Sequence, residues 1–236
     1  MDKHNVIKFF EEFVSIPSVS TQKERFGEIL RSAKFLKNKL SSLGFKVKFI
    51  QEKNQSPLVL AEKFVGGKTT IGIYGHYDVQ PEEPINEWKT PPFKLTIKNG
   101  KIYGRGVADN KGHIVQNITA VEELIKENKL KNNIIFLIEG EEESASSNFE
   151  KYIKKAKNIL SKVDIFYLTD VGMIKKNVPT IYYALRGIVY FELKVWVGKN
   201  DLHSGGYGNL VLNPAQVLGE LLAKMKNWRT GKINIP

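Results

Sequence analysis

Val6, Phe9, Phe10 and Phe13 recur at helical spacing, which predicts a helix over residues 3–14; Ile16-Pro17-Ser18 breaks it. Phe26, Ile29, Leu30, Ala33, Leu36, Leu40 and Leu43 carry the same period through a long second helix, and Gly44 stands where its C-terminal cap belongs. Strand-like stretches follow at 45–50, 58–64 and 70–74. Next come a helix from about Asn110 to Glu127, an unbroken apolar strand at 134–138, a helix near 148–160 and a strand at 165–168. Helices alternating with short apolar strands predict an α/β fold, a mostly parallel sheet with flanking helices. Ligands of such sheets bind beyond the carboxyl ends of the strands. Past Asp170 the pattern changes. Ile181–Ala184 and Ile188–Val197 alternate like half-exposed strands, and a helix from Pro214 to about Asn227 follows.

The chain has 236 residues, 42% of them hydrophobic and 26% charged, as in an ordinary globular protein. No apolar run approaches the roughly 18 residues that span a bilayer, and the N-terminal segment reads as an amphipathic helix, without a secretory core. The absence of cysteine excludes a disulfide framework and thiolate metal sites. The expectation is a cytoplasmic protein with no membrane partner. The net charge of +11 raises nucleic-acid binding, but the lysines are scattered beside glutamates and form no Arg-rich run, so no nucleic-acid partner is expected.

Polar residues gather just after the strands. His76 ends the strand at 70–74, and Asp78 could accept its other ring N–H and fix the tautomer. Alone, this pair reads equally as a loop histidine bonded to a carboxylate. Gly104-Arg105-Gly106 and Asp109 lead into a helix; a turn capped by Asp109 is the plain reading, and the spacing fits neither phosphate-loop fingerprint. Glu139-Gly140-Glu141-Glu142-Glu143 sets four carboxylates in five residues, which repel unless a cation is near; a solvated acidic loop is the alternative. Thr169-Asp170 and Asp201-Leu202-His203 complete the set. One imidazole with several carboxylates suits Zn²⁺, Mn²⁺ or Co²⁺, and a carboxylate shared by two such ions would hold them about 3.5–4 Å apart.

The run His76-Tyr77-Asp78-Val79-Gln80-Pro81, then Trp88, Pro92-Phe93, Tyr103 to Gly106, Asp109, Lys111-Gly112, the Glu-rich segment, Asp170, Arg186-Gly187, His203-Ser204-Gly205 and Asn213-Pro214 resembles the M20 metallopeptidases, on their dipeptidase or carnosinase-like branch. The resemblance implies a two-metal hydrolase of dipeptides or short peptides, with N-acyl amino acids as the alternative substrates. It implies two divalent ions, zinc first, with manganese or cobalt as alternatives. His76, Asp109 and Asp170 would hold one ion, with Asp78 orienting the imidazole. Asp109 would bridge to a second ion held by Glu143. Glu142 would be the general base that takes a proton from metal-activated water, and His203 would reach the substrate. A cis peptide after Asp109 is expected too. The implied domains are a catalytic unit, residues 1–185, and the start of a lid and dimerisation unit, 186–236, giving a homodimer. The sequence departs at Ser144-Ala145, where Ile-Gly or a similar pair is usual, and at Asn209, where glycine is usual. Family members run about twice as long, so a fragment or remnant, inactive by itself and lacking a late metal-binding histidine, is expected.

Overall fold

A computed structural model describes residues 2–235. The chain divides into two compact units, at Thr180/Ile181. The first opens with α1 (Lys3–Val14) and α2 (Phe26–Ser42), followed by β1 (Lys46–Ile50), β2 (Leu58–Lys63) and β3 (Thr70–His76). A short hairpin, β4 (Thr96–Lys98) and β5 (Lys101–Tyr103), precedes α3 (Lys111–Lys126), β6 (Asn133–Glu139), α4 (Phe149–Leu160) and β7 (Ile165–Leu168).

The five-stranded sheet has the order β1-β2-β6-β3-β7. β3 pairs parallel with both β6 and β7, while β2 runs antiparallel to β6 and to β1. β2 is therefore the one strand of the five that points the other way, and the fold is the expected α/β with a mostly parallel sheet. β6 is buried at all seven positions, as a central strand covered on both faces must be. One core packs α1, α2 and α3 through Phe10, Phe13, Ile29, Leu36, Ile114 and Ile118 against Phe136 and Ile138. A smaller core packs Tyr152 and Ala156 of α4 against Leu58, Leu60, Ile135 and Leu137 on the opposite face.

Two buried polar groups tie the loops to this frame. Lys111, fully buried, donates from Nζ to the carbonyls of Phe13 (3.0 Å) and Ile16 (2.6 Å) and lies 4.9 Å from the Phe13 ring centroid. Burial pulls its ammonium down to a pKa of about 7. Tyr77 is also fully buried, and its hydroxyl donates to the Pro57 carbonyl at 2.7 Å. Its ring passes so close to Gly140 that a Cβ there would meet Tyr77 Cζ at 2.2 Å, so only glycine fits.

The second unit holds α5 (Ser204–Tyr207) and α6 (Pro214–Met225), the latter capped by Asn213 Oδ1 accepting from Ala215 N at 2.9 Å. The strands expected at 181–184 and 188–197 do not form. Those residues have no ladder partner among the described residues, and Ile181 and Tyr183 stand 90% and 97% exposed. Alternation alone does not make a strand when no neighbour supplies the hydrogen bonds.

Candidate metal centre

The carboxyl ends of β3, β6 and β7 and the N-terminus of α3 meet at one sheet edge. His76, the last residue of β3, is fully buried, and so is Asp78. His76 Nε2 faces Asp109 Oδ1 at 2.8 Å, Asp170 Oδ2 at 3.4 Å and Glu142 Oε2 at 3.9 Å. The ring is buried, while the Asp109, Glu142 and Asp170 side chains keep 64%, 40% and 29% of their surface, so the cluster opens outward. Two ligand groups sharing the imidazole are each close enough to hold one ion, His76 with Asp109 and Asp170, and His76 with Glu142 and Glu143, their donor atoms within 4.8 Å of one another.

The ring's other nitrogen, Nδ1, lies 3.1 Å from the Asp78 carbonyl oxygen and 3.3 Å from its Oδ1. A proton on Nδ1 leaves Nε2 free to face a cation. The Asp78 carboxylate has further partners. Oδ2 accepts from Ser20 Oγ (2.6 Å) and Glu143 N (3.0 Å), and Oδ1 accepts from Glu142 N (3.3 Å). Both oxygens are thus occupied, and Asp78 fixes the Glu142–Ser144 3₁₀ turn against the imidazole. Ser20 carries no motif and was not visible in the sequence. The acidic run divides into two kinds. Glu139 Oε1 accepts from Tyr74 Oη at 2.7 Å, and Glu141 accepts from Ser56 N at 3.1 Å and Asn148 Nδ2 at 2.9 Å; both point inward. Glu142 and Glu143 face the cluster, and Gln80 Nε2 holds Glu143 Oε2 at 2.7 Å.

The electrostatics record an excess of negative charge. Burial works against the His76 imidazolium, but hydrogen bonds to Asp109, Asp170 and Asp78 overcome it and push the pKa up to about 12. The same imidazolium holds the Asp170 carboxyl below its usual value. Burial raises Glu142 and Glu143. A site that gathers a proton onto its imidazole in this way has the donor chemistry of a divalent-cation site, nitrogen with carboxylate oxygens. The Asp109–Asn110 peptide is cis, as expected. The helix-cap position falls on Asn110, not on Asp109 as in the capped-turn reading. His203 lies in the second unit, where its Nδ1 accepts from Gly205 N at 3.0 Å.

An α/β sheet with an imidazole–carboxylate cluster at its carboxyl edge defines a protein equipped to hold divalent metal. The chain belongs to peptidase family M20/M25/M40, whose description matches residues 72–191, a span that contains every residue of the cluster. It is 35% identical to human Beta-Ala-His dipeptidase, over 98% of this chain and 48% of that protein, and 32% identical to the Cys-Gly metallodipeptidase DUG1 of Candida albicans, over 99% and 52%. Among solved structures it resembles the M20 family metallo-carboxypeptidase Sso-CP2 from Sulfolobus solfataricus (TM-score 0.80, 34% identity) and human carnosine dipeptidase 1 (TM-score 0.77, 31% identity), covering 99% of this chain and 52% of each of those chains. The chain therefore spans about half the length of these relatives. No helix among the described residues is long and apolar enough to cross a membrane.

Proposed function

We propose that this protein hydrolyses the peptide bond of dipeptides at a pair of divalent metal ions, zinc first among them. The observation that carries the reading is the meeting of His76, Asp109 and Asp170, from three separate elements, around one point. In this reading Asp109 would serve both ions, and Glu143, fixed by Gln80, would help to hold the second. When bound, the metal pair supplies a nucleophilic water near neutral pH and polarises the carbonyl under attack. Glu142 is the general base: its half-exposed carboxylate, raised by burial, takes a proton from water and returns it to the leaving amine. Asp78 occupies both its oxygens with the imidazole and the Glu142–Glu143 turn, and so acts by positioning.

Dipeptides are favoured over N-acyl amino acids because the relatives of highest coverage are named for Beta-Ala-His and Cys-Gly. Residues 1–185 are assigned to catalysis and 186–236 to a lid through which two copies pair, with His203 reaching substrate. The test is a zinc titration by calorimetry beside a hydrolysis panel of β-alanyl-histidine, cysteinylglycine and N-acetyl amino acids. Tight zinc uptake, lost in His76→Ala and weakened in Asp170→Ala, is expected. Zinc uptake unchanged in His76→Ala sinks the reading. In a preparation that cleaves dipeptide, Glu142→Gln should end turnover at unchanged metal content. Lost metal with retained turnover would reject Glu142 as the base.

A further inference from the structure

The β3–β7 ladder stops at the pair Tyr74↔Leu168. His76 and Asp170 both lie two residues beyond it, so no ladder hydrogen bond sets their separation. β7 is also an edge strand, with all four residues exposed. Asn110 spans this gap. It is fully buried. Its Oδ1 accepts from the main-chain N–H of His76 at 3.2 Å, and its Nδ2 donates to Asp170 Oδ1 at 2.8 Å. The same Nδ2 lies 3.3 Å from Nδ1 of His113, an acceptor for its second hydrogen. A Cβ on Gly75 would come within 2.8 Å of Asn110 Oδ1, so the bare glycine makes room for this amide beside β3.

We propose that Asn110 is a positioning residue of the metal centre: it fixes the Asp170 carboxylate against the His76 imidazole and reserves Asp170 Oδ2 as the ligand oxygen. The proposal rests on the metal-centre reading above. An amide suits the task because one side chain both accepts from a backbone N–H and donates to a carboxylate, which neither Asp nor Leu of similar size can do. With Oδ1 turned to Asn110, Asp170 presents Oδ2 to a cation, the oxygen 3.4 Å from His76 Nε2.

The experiment is zinc calorimetry on the whole chain, comparing the unaltered protein with Asn110→Ser, Asp170→Asn and the double variant. Serine can still accept near the His76 N–H but cannot reach Asp170. Loss of such an outer partner typically weakens metal affinity about 10–100-fold, and that loss is expected for Asn110→Ser. Because Asn110 acts through Asp170, the double variant should bind no more weakly than Asp170→Asn alone. A purely structural role would instead make the two losses add, and additive losses overturn the proposal, as does an Asn110→Ser variant with unchanged affinity. An unaltered chain that takes up no zinc overturns the metal-centre reading, and this proposal with it. The unaltered chain provides a second readout that needs no variant. The Asn110 side-chain amide protons should exchange slowly with solvent and shift when zinc is added. Fast exchange and indifference to zinc overturn the proposal even where Asn110→Ser does not fold.

Discussion

Asp78→Asn keeps shape and volume and removes one acceptor and one charge from the centre of the site. Its cost follows from the four donors around the carboxylate. If the new amide nitrogen takes the Oδ2 position, it confronts Glu143 N, previously bonded at 3.0 Å; in the Oδ1 position it confronts Glu142 N, previously at 3.3 Å. The second orientation is cheaper, since it gives up the longer bond and leaves Ser20 and Glu143 N an acceptor. One backbone N–H is then left unpaired, at about 1 kcal/mol, the low end for an unsatisfied buried donor. The two surviving bonds change from charge-assisted to neutral, and the sum is about 2–4 kcal/mol. At about 2 kcal/mol per molar urea, the unfolding midpoint of the metal-free chain should fall by about 1–2 M. The imidazole also loses the carboxylate beside Nδ1, while the carbonyl contact at 3.1 Å remains, so zinc affinity should fall about 10–100-fold. Urea unfolding by circular dichroism and zinc calorimetry read the two effects separately. An unchanged midpoint with unchanged zinc affinity would refute the reasoning. A lowered midpoint with unchanged affinity would mean that the carboxylate serves the fold and not the ligands.

Three further outcomes are expected. Ala145 sits in the left-handed region at φ +73°, at a cost of about 1–2 kcal/mol; Ala145→Gly relieves it, and after glycine's greater unfolded-state freedom the net gain should be about 0.5–1 kcal/mol, read as a raised urea midpoint, whereas a lowered midpoint would contradict it. Burial pushes the Glu82 carboxyl up, but hydrogen bonds from Arg25 outweigh it and leave it below the usual 4.5. The pair's contribution is therefore full above that value and is lost as pH falls through the folded-state value. Glu82→Gln should cost about 1.5–3 kcal/mol at pH 7 and much less near pH 3, and an equal cost at both would exclude the charged pair as its source. Against its burial, hydrogen bonds to Asp109, Asp170 and Asp78 push His76 up to about 12, so zinc must displace a proton there and affinity should weaken as pH falls, about tenfold per unit for one proton. Calorimetry in buffers of different ionisation enthalpy should show that proton leaving, and identical heats in all buffers would refute it.

Long periodic segments were the legible part of the fold. The apolar stripe of α1, the six-position stripe of α2 and the unbroken run of β6 each carry burial in their spacing, and burial is what holds these elements. The β4–β5 hairpin was not read, because strands of three largely exposed residues have no buried face to imprint a pattern. Its turn did leave a mark: Asn99-Gly100 takes positive φ at both residues, the signature of a tight hairpin. The strands expected at 181–184 and 188–197 failed for the opposite reason, alternation without a partner. At the site, Asp109, Asp170 and Glu142 lie within 4 Å of His76 Nε2, because strand ends converge wherever strands run parallel, while Asp78 stands at Nδ1 and His203 belongs to the second unit. The roles of Ser20 and Asn110 escaped notice because their hydrogen bonds depend on loop paths that no spacing encodes. Spacing alone did not separate Glu139 and Glu141 from Glu142 and Glu143; the family resemblance did, and the inward partners of the first two give the physical reason.

The Lys111 anchor has a consequence in time. Its two acceptor carbonyls, on Phe13 and Ile16, precede it in the chain by 98 and 95 residues. At synthesis rates of about 5–20 residues per second, the N-terminal helix waits about 5–20 s for the side chain that will hold its end. During that interval the face bearing Phe9, Phe10 and Phe13 has neither α3 nor β6 to cover it. α1 is thus secured well after it is made, and nascent chains stalled before residue 111 should expose this face to protease, while chains stalled well beyond β7 should protect it.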